Sequence, residues 1–332
     1  MPVLEPVAAG ARSPGQTAAT APSTTTKETT SVSWFPELLA HRPEQAWPQD
    51  SFQLVPFYRG LVELTPETLL ASWSGAPQVE DPRHGLVRGA DAFAAYAQET
   101  REWLALSDAT AWPGSVTQTA MRSVEEVVLD PEVGGARQEL GAAVVAEWDR
   151  DHRLTAVRVY HSLPLVAGQR AHLPVAPVEA EQRLPAFVRE HLGGRDGDLD
   201  DLLGTYEDDA RLTTFTDRTQ VVSGHQELRR LHRVPAVPGS GLRTTICTVS
   251  DDGRSCAVEH RVTRDGSPEP VEAGVTVYER GPHGKVQQER RYAVLATAAF
   301  APVAAAGLSD VRGRVDLGRR SGSYATAGSL DG

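Results

Sequence analysis

The chain has 332 residues, a formal net charge of −11 and only two cysteines. That length fits about two domains of ~100–200 residues, and the negative balance argues against nucleic acid or an anionic membrane as partner, since both need a positive field. Two cysteines are too few for a disulfide framework, no run of ~18 apolar residues offers a membrane span, and no basic stretch precedes an apolar one at the N-terminus as in a secretory signal, so the expected compartment is the cytoplasm.

Residues 1–31 are rich in Ala, Thr, Ser and Pro and nearly devoid of large apolar side chains. Such a segment cannot bury enough surface to offset its ordering entropy, so a disordered tail is expected. Residues 32–53 gain Trp34, Phe35, Leu38, Leu39 and Trp47 and read as an ordered lead-in, with a short helix near Pro36 to His41. From Leu54 the apolar residues Phe57, Leu61, Val62 and Leu64 recur at helical spacing. Thr65-Pro66-Glu67 then opens a second helix with a cap, a proline and an acid in its first turn.

The stretch Val79 to Phe93, VEDPRHGLVRGADAF, predicts a strand ending in an acidic pair, a proline-led turn, a second short strand and a glycine that opens a helix. Strands follow around Gly114 to Met121, Val124 to Leu129, Gln138 to Asp149 and Leu154 to His161. Helices first and an antiparallel sheet after them make an α+β pattern. A Pro-rich linker, 167–183, leads to a second passage through the same layout. Phe187 to Leu192 and Asp198 to Leu203 read as helices, a strand starts at Arg211, and Val221-Val222-Ser223-Gly224 echoes Leu86-Val87-Arg88-Gly89. Four strands follow, Leu242 to Ser250, Arg254 to Thr263, Val271 to Arg280 and Val286 to Leu295, so the period is about 130 residues. The expected domains are 54–166 and 184–297, with a mostly disordered tail over 298–332. Cys247 and Cys256 flank the loop Ser250-Asp251-Asp252-Gly253, which predicts two buried thiols facing each other across a hairpin.

This order, with Phe57-Tyr58 near the start of the first helix and Val79-Glu80-Asp81-Pro82 at a corner, resembles the nuclear transport factor 2-like superfamily, in its SnoaL-like and ketosteroid isomerase-like branch. The resemblance covers 54–166 and again 184–295. It implies two tandem cones, each a curved antiparallel sheet wrapped around about three N-terminal helices, with an apolar pocket inside and sheets that pair within the chain or in a homodimer. It further implies an enzyme of isomerase, cyclase or hydrolase type that needs no cofactor and acts on a small apolar molecule. Asp81 falls where ketosteroid isomerase keeps its base, and Tyr58 where it keeps an oxyanion donor. The second acid of that oxyanion site has no match, because the corresponding strand reads Ala142-Ala143-Val144-Val145. Copy two has Thr213-Thr214 at its corner, so there the second cone is structural.

Each candidate has a plainer role beside the chemical one. Asp81 either takes a proton alpha to a carbonyl or activates a water, helped if burial raises its pKa, or it caps the Pro82-Arg83-His84 turn. Tyr58 is an oxyanion donor or a core aromatic. His161 shares a strand face with Val157 and Val159, and serves either as a pocket acid-base group or as a satisfied strand-end histidine. Trp73, Trp103 and Trp148 line an apolar pocket or fill the core. The ten histidines show no metal-ligand spacing, and no phosphate loop or nucleophile elbow is present. The alternative is a binding or scaffold protein without chemistry. The end of the chain, SYATAGSLDG from Ser323, resembles the cargo-loading peptides of encapsulin shells.

Overall fold

The computed structural model describes residues 56–133, 135–161, 171–196, 198–216, 219–233 and 241–296. Both tails, the lead-in and the encapsulin-like peptide lie outside them.

The first copy opens with α1 (Pro56–Glu63) and α2 (Pro66–Ala71), where Thr65 Oγ1 accepts from Thr68 N at 3.3 Å as the expected cap. The hairpin β1 (Gln78–Asp81) and β2 (Gly85–Arg88) leads through Gly89, at φ +91°, into α3 (Ala90–Leu106). Phe93, Tyr96, Ala97, Thr100 and Leu104 lie on the buried stripe of α3, at the spacing an amphipathic helix needs. Arg101 reaches from it to the carbonyl oxygens of Leu61 and Leu64, closing the C-terminal end of α1. Strands β3 (Thr110–Gln118) and β4 (Arg122–Asp130), the small β5 (Glu132–Val133) and β6 (Ala136–Arg137), then β7 (Leu140–Trp148) and β8 (Leu154–His161) complete the copy.

The second copy repeats the plan. It runs α4 (Ala186–Asp196), α5 (Leu199–Gly204), β9 (Tyr206–Phe215), β10 (Thr219–Ser223), α6 (Gly224–His232), β11 (Leu242–Asp251), β12 (Ser255–Arg264), β13 (Pro270–Arg280) and β14 (Val286–Leu295). The strand orders are β2-β1-β8-β7-β4-β3 and β10-β9-β14-β13-β12-β11, the same sequence of positions once the β5–β6 pair is set aside. The fold is α+β in two copies, and its sheets are mixed rather than purely antiparallel. In each copy the first hairpin joins the edge of a four-strand meander by running parallel to its last strand, β1 along β8 and β9 along β14.

Strand alternation decides what each sheet face meets. In copy one, Val127, Leu129, Ala142, Val144, Ala146, Val157 and Val159 turn inward onto the helices, with Phe57, Leu61, Leu69 and Phe93. Val124, Ala143, Val145 and Tyr160 turn outward and pack with Phe215, Ala257, Val275, Val277 and Tyr292 of copy two. The sheets therefore pair back to back within one chain, leaving a helix-filled concave face in each copy. Residues 171–183 run between the copies as a hydrogen-bonded strap: His172 N donates to Pro82 O at 3.0 Å, and Glu179 N to Cys247 O at 2.9 Å.

The expected meeting of the two thiols does not occur. Cys256 pairs with Asp251, while Cys247 sits in a bulge between the pairs Ile246–His260 and Thr248–Glu259, several residues away along the ladder. The hairpin turns two residues later than the Ser250-Asp251-Asp252-Gly253 loop predicts, so even a regular ladder would set Cys247 opposite His260. Both thiols are buried, and burial pushes that of Cys247 up to about 11.

Candidate functional site

Asp81 is the last residue of β1, buried on the inner side of the first copy with 5 % of its surface exposed. The chain must turn at once, because Pro82 cannot continue the ladder and Gly85 supplies a left-handed conformation at φ +74°. The turn folds back onto the carboxylate. Oδ1 accepts from Arg83 N at 2.8 Å and His84 N at 3.2 Å, with His84 Nδ1 at 3.0 Å. Oδ2 faces the interior, where the Tyr96 hydroxyl donates at 3.5 Å and His161 Nε2 stands at ion-pair distance, 3.7 Å. Asp81 therefore caps its turn with one oxygen and meets an imidazole and a phenol with the other.

Burial alone would raise the pKa of Asp81. The hydrogen bonds and charges of His161 and His84 outweigh it and hold the carboxyl well below the usual carboxylate range. Tyr58, on the buried face of α1, is pushed up by burial first, then by the negative charges of Asp81 and Glu125. Tyr96 is pushed up for the same first two reasons, burial and Asp81. Both phenols stay protonated at neutral pH, as hydrogen-bond donors must.

Three members of this cluster were not candidates in sequence. His84 belongs to the quoted turn but reads there as a loop residue. Tyr96 follows Phe93 by one helical turn, so its burial was legible and its hydroxyl's target was not. Glu125 is a buried acid within the apolar strand β4, on the same face as Val127 and Leu129, and Phe57 N donates to its Oε2 at 3.1 Å. An acid inside an apolar strand was the available signal.

The three tryptophans fall at different places. Trp103 is half-buried, with the Arg83 guanidinium carbon 5.3 Å from its ring centroid, next to the Asp81 turn. Trp73 bridges to Leu154 and meets Phe93 edge to face at 5.4 Å. Trp148 pairs with Leu154 and donates from Nε1 to Ala120 O at 2.7 Å. Leu154 and His161 end β8 at opposite extremes, roughly 20 Å apart. The structure brings together Asp81, His161 and Tyr58, places Trp103 beside them, and anchors Trp73 and Trp148 at the other end of the sheet. Among the described residues no group of three or more His, Cys, Asp or Glu side chains is arranged to hold a metal ion, and no helix is long and apolar enough to cross a membrane.

No protein-family model matches the chain, and no curated protein matches it. Solved structures do. One is a SnoaL-like family protein from Agrobacterium tumefaciens, with 14% identity over 33% of this chain and 95% of that one, at a TM-score of 0.28. Another is a protein of ketosteroid isomerase-like fold from Catenulispora acidiphila in complex with trimethylamine, with 14% identity over 39% and 98% and a TM-score of 0.28. A third is an NTF2-like protein of unknown function from Cytophaga hutchinsonii, with 11% identity over 29% and 83% and a TM-score of 0.26. The chain is thus similar to NTF2-like, SnoaL-like and ketosteroid isomerase-like proteins, and it carries its own layout in two tandem copies.

Proposed function

We propose that the first copy is a cofactor-independent proton-transfer site for a small, largely apolar molecule, of isomerase, cyclase or hydrolase type. The observation that carries this reading is a buried carboxylate facing two imidazoles and the Tyr96 phenol, with Tyr58 and a second buried acid, Glu125, beside it in a core that is mostly apolar. A carboxylate held this far below its ordinary pKa is a weak base, so Asp81 acts by orienting an imidazole. His161 is the group that carries the proton, and Tyr58, with Tyr96, donates to the oxygen on which charge develops. Trp103 borders the site on its outer side.

Solvent deuterium exchange tests the reading directly. Full-length protein is incubated in deuterium oxide with a panel of small cyclic ketones, and loss of the protons alpha to the carbonyl is followed by NMR. Exchange above the buffer rate is expected, falling by about 10²-fold or more in Asp81→Asn and in His161→Gln. Equal exchange in all three proteins would sink the catalytic reading. It would favour binding without chemistry, the alternative to which the two turn hydrogen bonds of Asp81 Oδ1 already point.

A further inference from the structure

The corner that carries Asp81 is fastened differently from its counterpart in the second copy. There β9 stays paired with β14 to its last residue, through Thr213–Arg290, Thr214–Arg291 and Phe215–Tyr292. In the first copy the pairing of β1 with β8 covers Val79–Val157 and Glu80–Arg158 and ends there. The positions that match Thr214 and Phe215 are Asp81 and Pro82, and a proline has no N–H with which to extend a ladder. Asp81 keeps its partner Gly85 on β2, but it stands one residue past the pairing with β8, the strand that ends in His161.

The strap between the copies takes the place of the missing ladder. His172 N donates to Pro82 O at 3.0 Å. Glu80 is buried on the face of β1 opposite to Asp81, and its Oε2 accepts from Val175 N at 2.7 Å, with His172 Nε2 at 3.3 Å. Farther along, Glu179 N donates to Cys247 O at 2.9 Å, Arg122 Nη2 donates to Glu179 Oε1 at 2.7 Å, and Gln182 reaches Ile246 O. Between these ties Leu173 packs on the apolar layer that joins the sheets, and Pro174 and Pro177 restrict the backbone. A segment anchored at both ends and stiffened between them passes a position on rather than absorbing it.

We propose that Glu80 is a positioning residue of the first copy, which clamps the strap onto the corner through Val175 and His172 and so sets the Asp81 carboxylate against His161. Glu80 and Asp81 are consecutive, so backbone movement at one carries the other. Asp81 Oδ2 stands 3.7 Å from His161 Nε2, and a displacement of about 1 Å at such a contact can cost about 10²-fold in rate. In the second copy Thr213 takes the place of Glu80, and the continuing ladder does the fastening. The consequence for proton transfer rests on the function proposed above, whereas the consequence for the corner's geometry does not.

Histidine-ring nitrogen NMR on the full-length chain reads that geometry, with the His161 resonance identified by its loss in His161→Gln. Asp81→Asn supplies the shift that marks loss of the carboxylate. Glu80→Ala is expected to move His161 toward that position. Glu80→Gln keeps an oxygen for the Val175 N–H and should return the resonance to near its wild-type place. Val175→Pro removes the same hydrogen bond from the strap, where the Val175 side chain is exposed, and should move His161 as Glu80→Ala does. It decides the matter if Glu80→Ala fails to fold. Deuterium exchange into the ketone should fall about tenfold or more in Glu80→Ala and Val175→Pro. The proposal is overturned if His161 keeps its wild-type shift in Val175→Pro or in folded Glu80→Ala, or if Glu80→Gln behaves as Glu80→Ala. It is also overturned if wild-type exchange persists undiminished in both variants. Wild-type protein without exchange would strike the catalytic reading alone, because the His161 shift still decides whether the clamp sets the corner.

Discussion

Asp81 shows how neighbours decide the sign of a pKa shift. A carboxylic acid in an apolar core is pushed up, but one that accepts two backbone N–H bonds and faces two imidazoles is driven the other way. A group whose pKa is lower folded than unfolded adds stability above its unfolded value, near 4, and loses it as pH falls toward the folded one. Replacing Asp81 by Asn should therefore cost roughly 2 kcal/mol at neutral pH, and the gap to wild type should narrow steadily below pH ~4. Urea unfolding of both proteins across that range checks it; a gap that widens in acid would mean a raised pKa. At this scale the sequence was half legible. The VEDP corner marked Asp81, and strand alternation put His161 on the face of Val157 and Val159, where the core includes both valines. The contacts made by His84, Tyr96 and Glu125 depend on how a helix and two strands cross, which no local pattern encodes.

Elements were more legible than contacts because capping and turn chemistry are local. Thr65 and Asp198 cap α2 and α5 through their side chains, as their positions ahead of a helical stripe predict. Gly89 and Gly224 both take positive φ, +91° and +73°, the first just ahead of its helix and the second as the first residue of its own. At Gly89 a Cβ would meet nothing within 4 Å, so any loss on substitution comes from backbone strain alone. Gly89→Ala should cost about 1–3 kcal/mol, and Gly89→Asn as much, since a ψ of 166° puts the residue outside the left-handed helical region that Asn tolerates. Urea midpoints for the two variants separate strain from packing. Bulges and hairpin partners were the illegible part. The β5–β6 pair has no counterpart among the described residues of the second copy, and a turn placed two residues later than the loop composition predicts keeps the two thiols apart.

The whole molecule is held by a contact that repeats as faithfully as the fold. On β8, Arg158 binds Glu259 of the other copy through Nε at 2.7 Å and Nη2 at 2.8 Å, and Tyr160 donates to the same carboxylate at 2.7 Å. On β14, Arg290 binds Glu126 of the first copy at 2.6 and 3.0 Å, and Tyr292 donates to it at 2.8 Å. Each arginine also holds a glutamate of its own sheet, Glu147 for Arg158 and Glu279 for Arg290. Strand positions match throughout, β8 with β14 and β4 with β12, so the two networks are related as the halves of a two-fold interface are. Arg-x-Tyr on the last strand and an acid on an inner strand was a repeat visible in the sequence, but only the pairing of outer faces gives it meaning. Since that outer face is already covered, a homodimer would have to use another surface.

Near-symmetry makes the interface testable against itself. Glu259→Gln leaves buried Arg158 with only the partly exposed Glu147 as countercharge, and Glu126→Gln leaves Arg290 with only Glu279, so each should cost up to about 3–5 kcal/mol, and by similar amounts. Removing both partners, as in Arg158→Met with Glu259→Leu, should cost less than Glu259→Gln alone, because no charge is then stranded. Gly141 probes the apolar part of the contact. Its Cβ would fall 2.1 Å from the Phe215 ring, which stacks on Tyr292 at 4.8 Å and has little room to yield. Gly141→Ala should thus destabilise by about 1–3 kcal/mol without touching either concave face. If urea unfolding finds the two glutamine variants unequal by more than ~2 kcal/mol, the symmetry is one of form only, and one network carries the pairing.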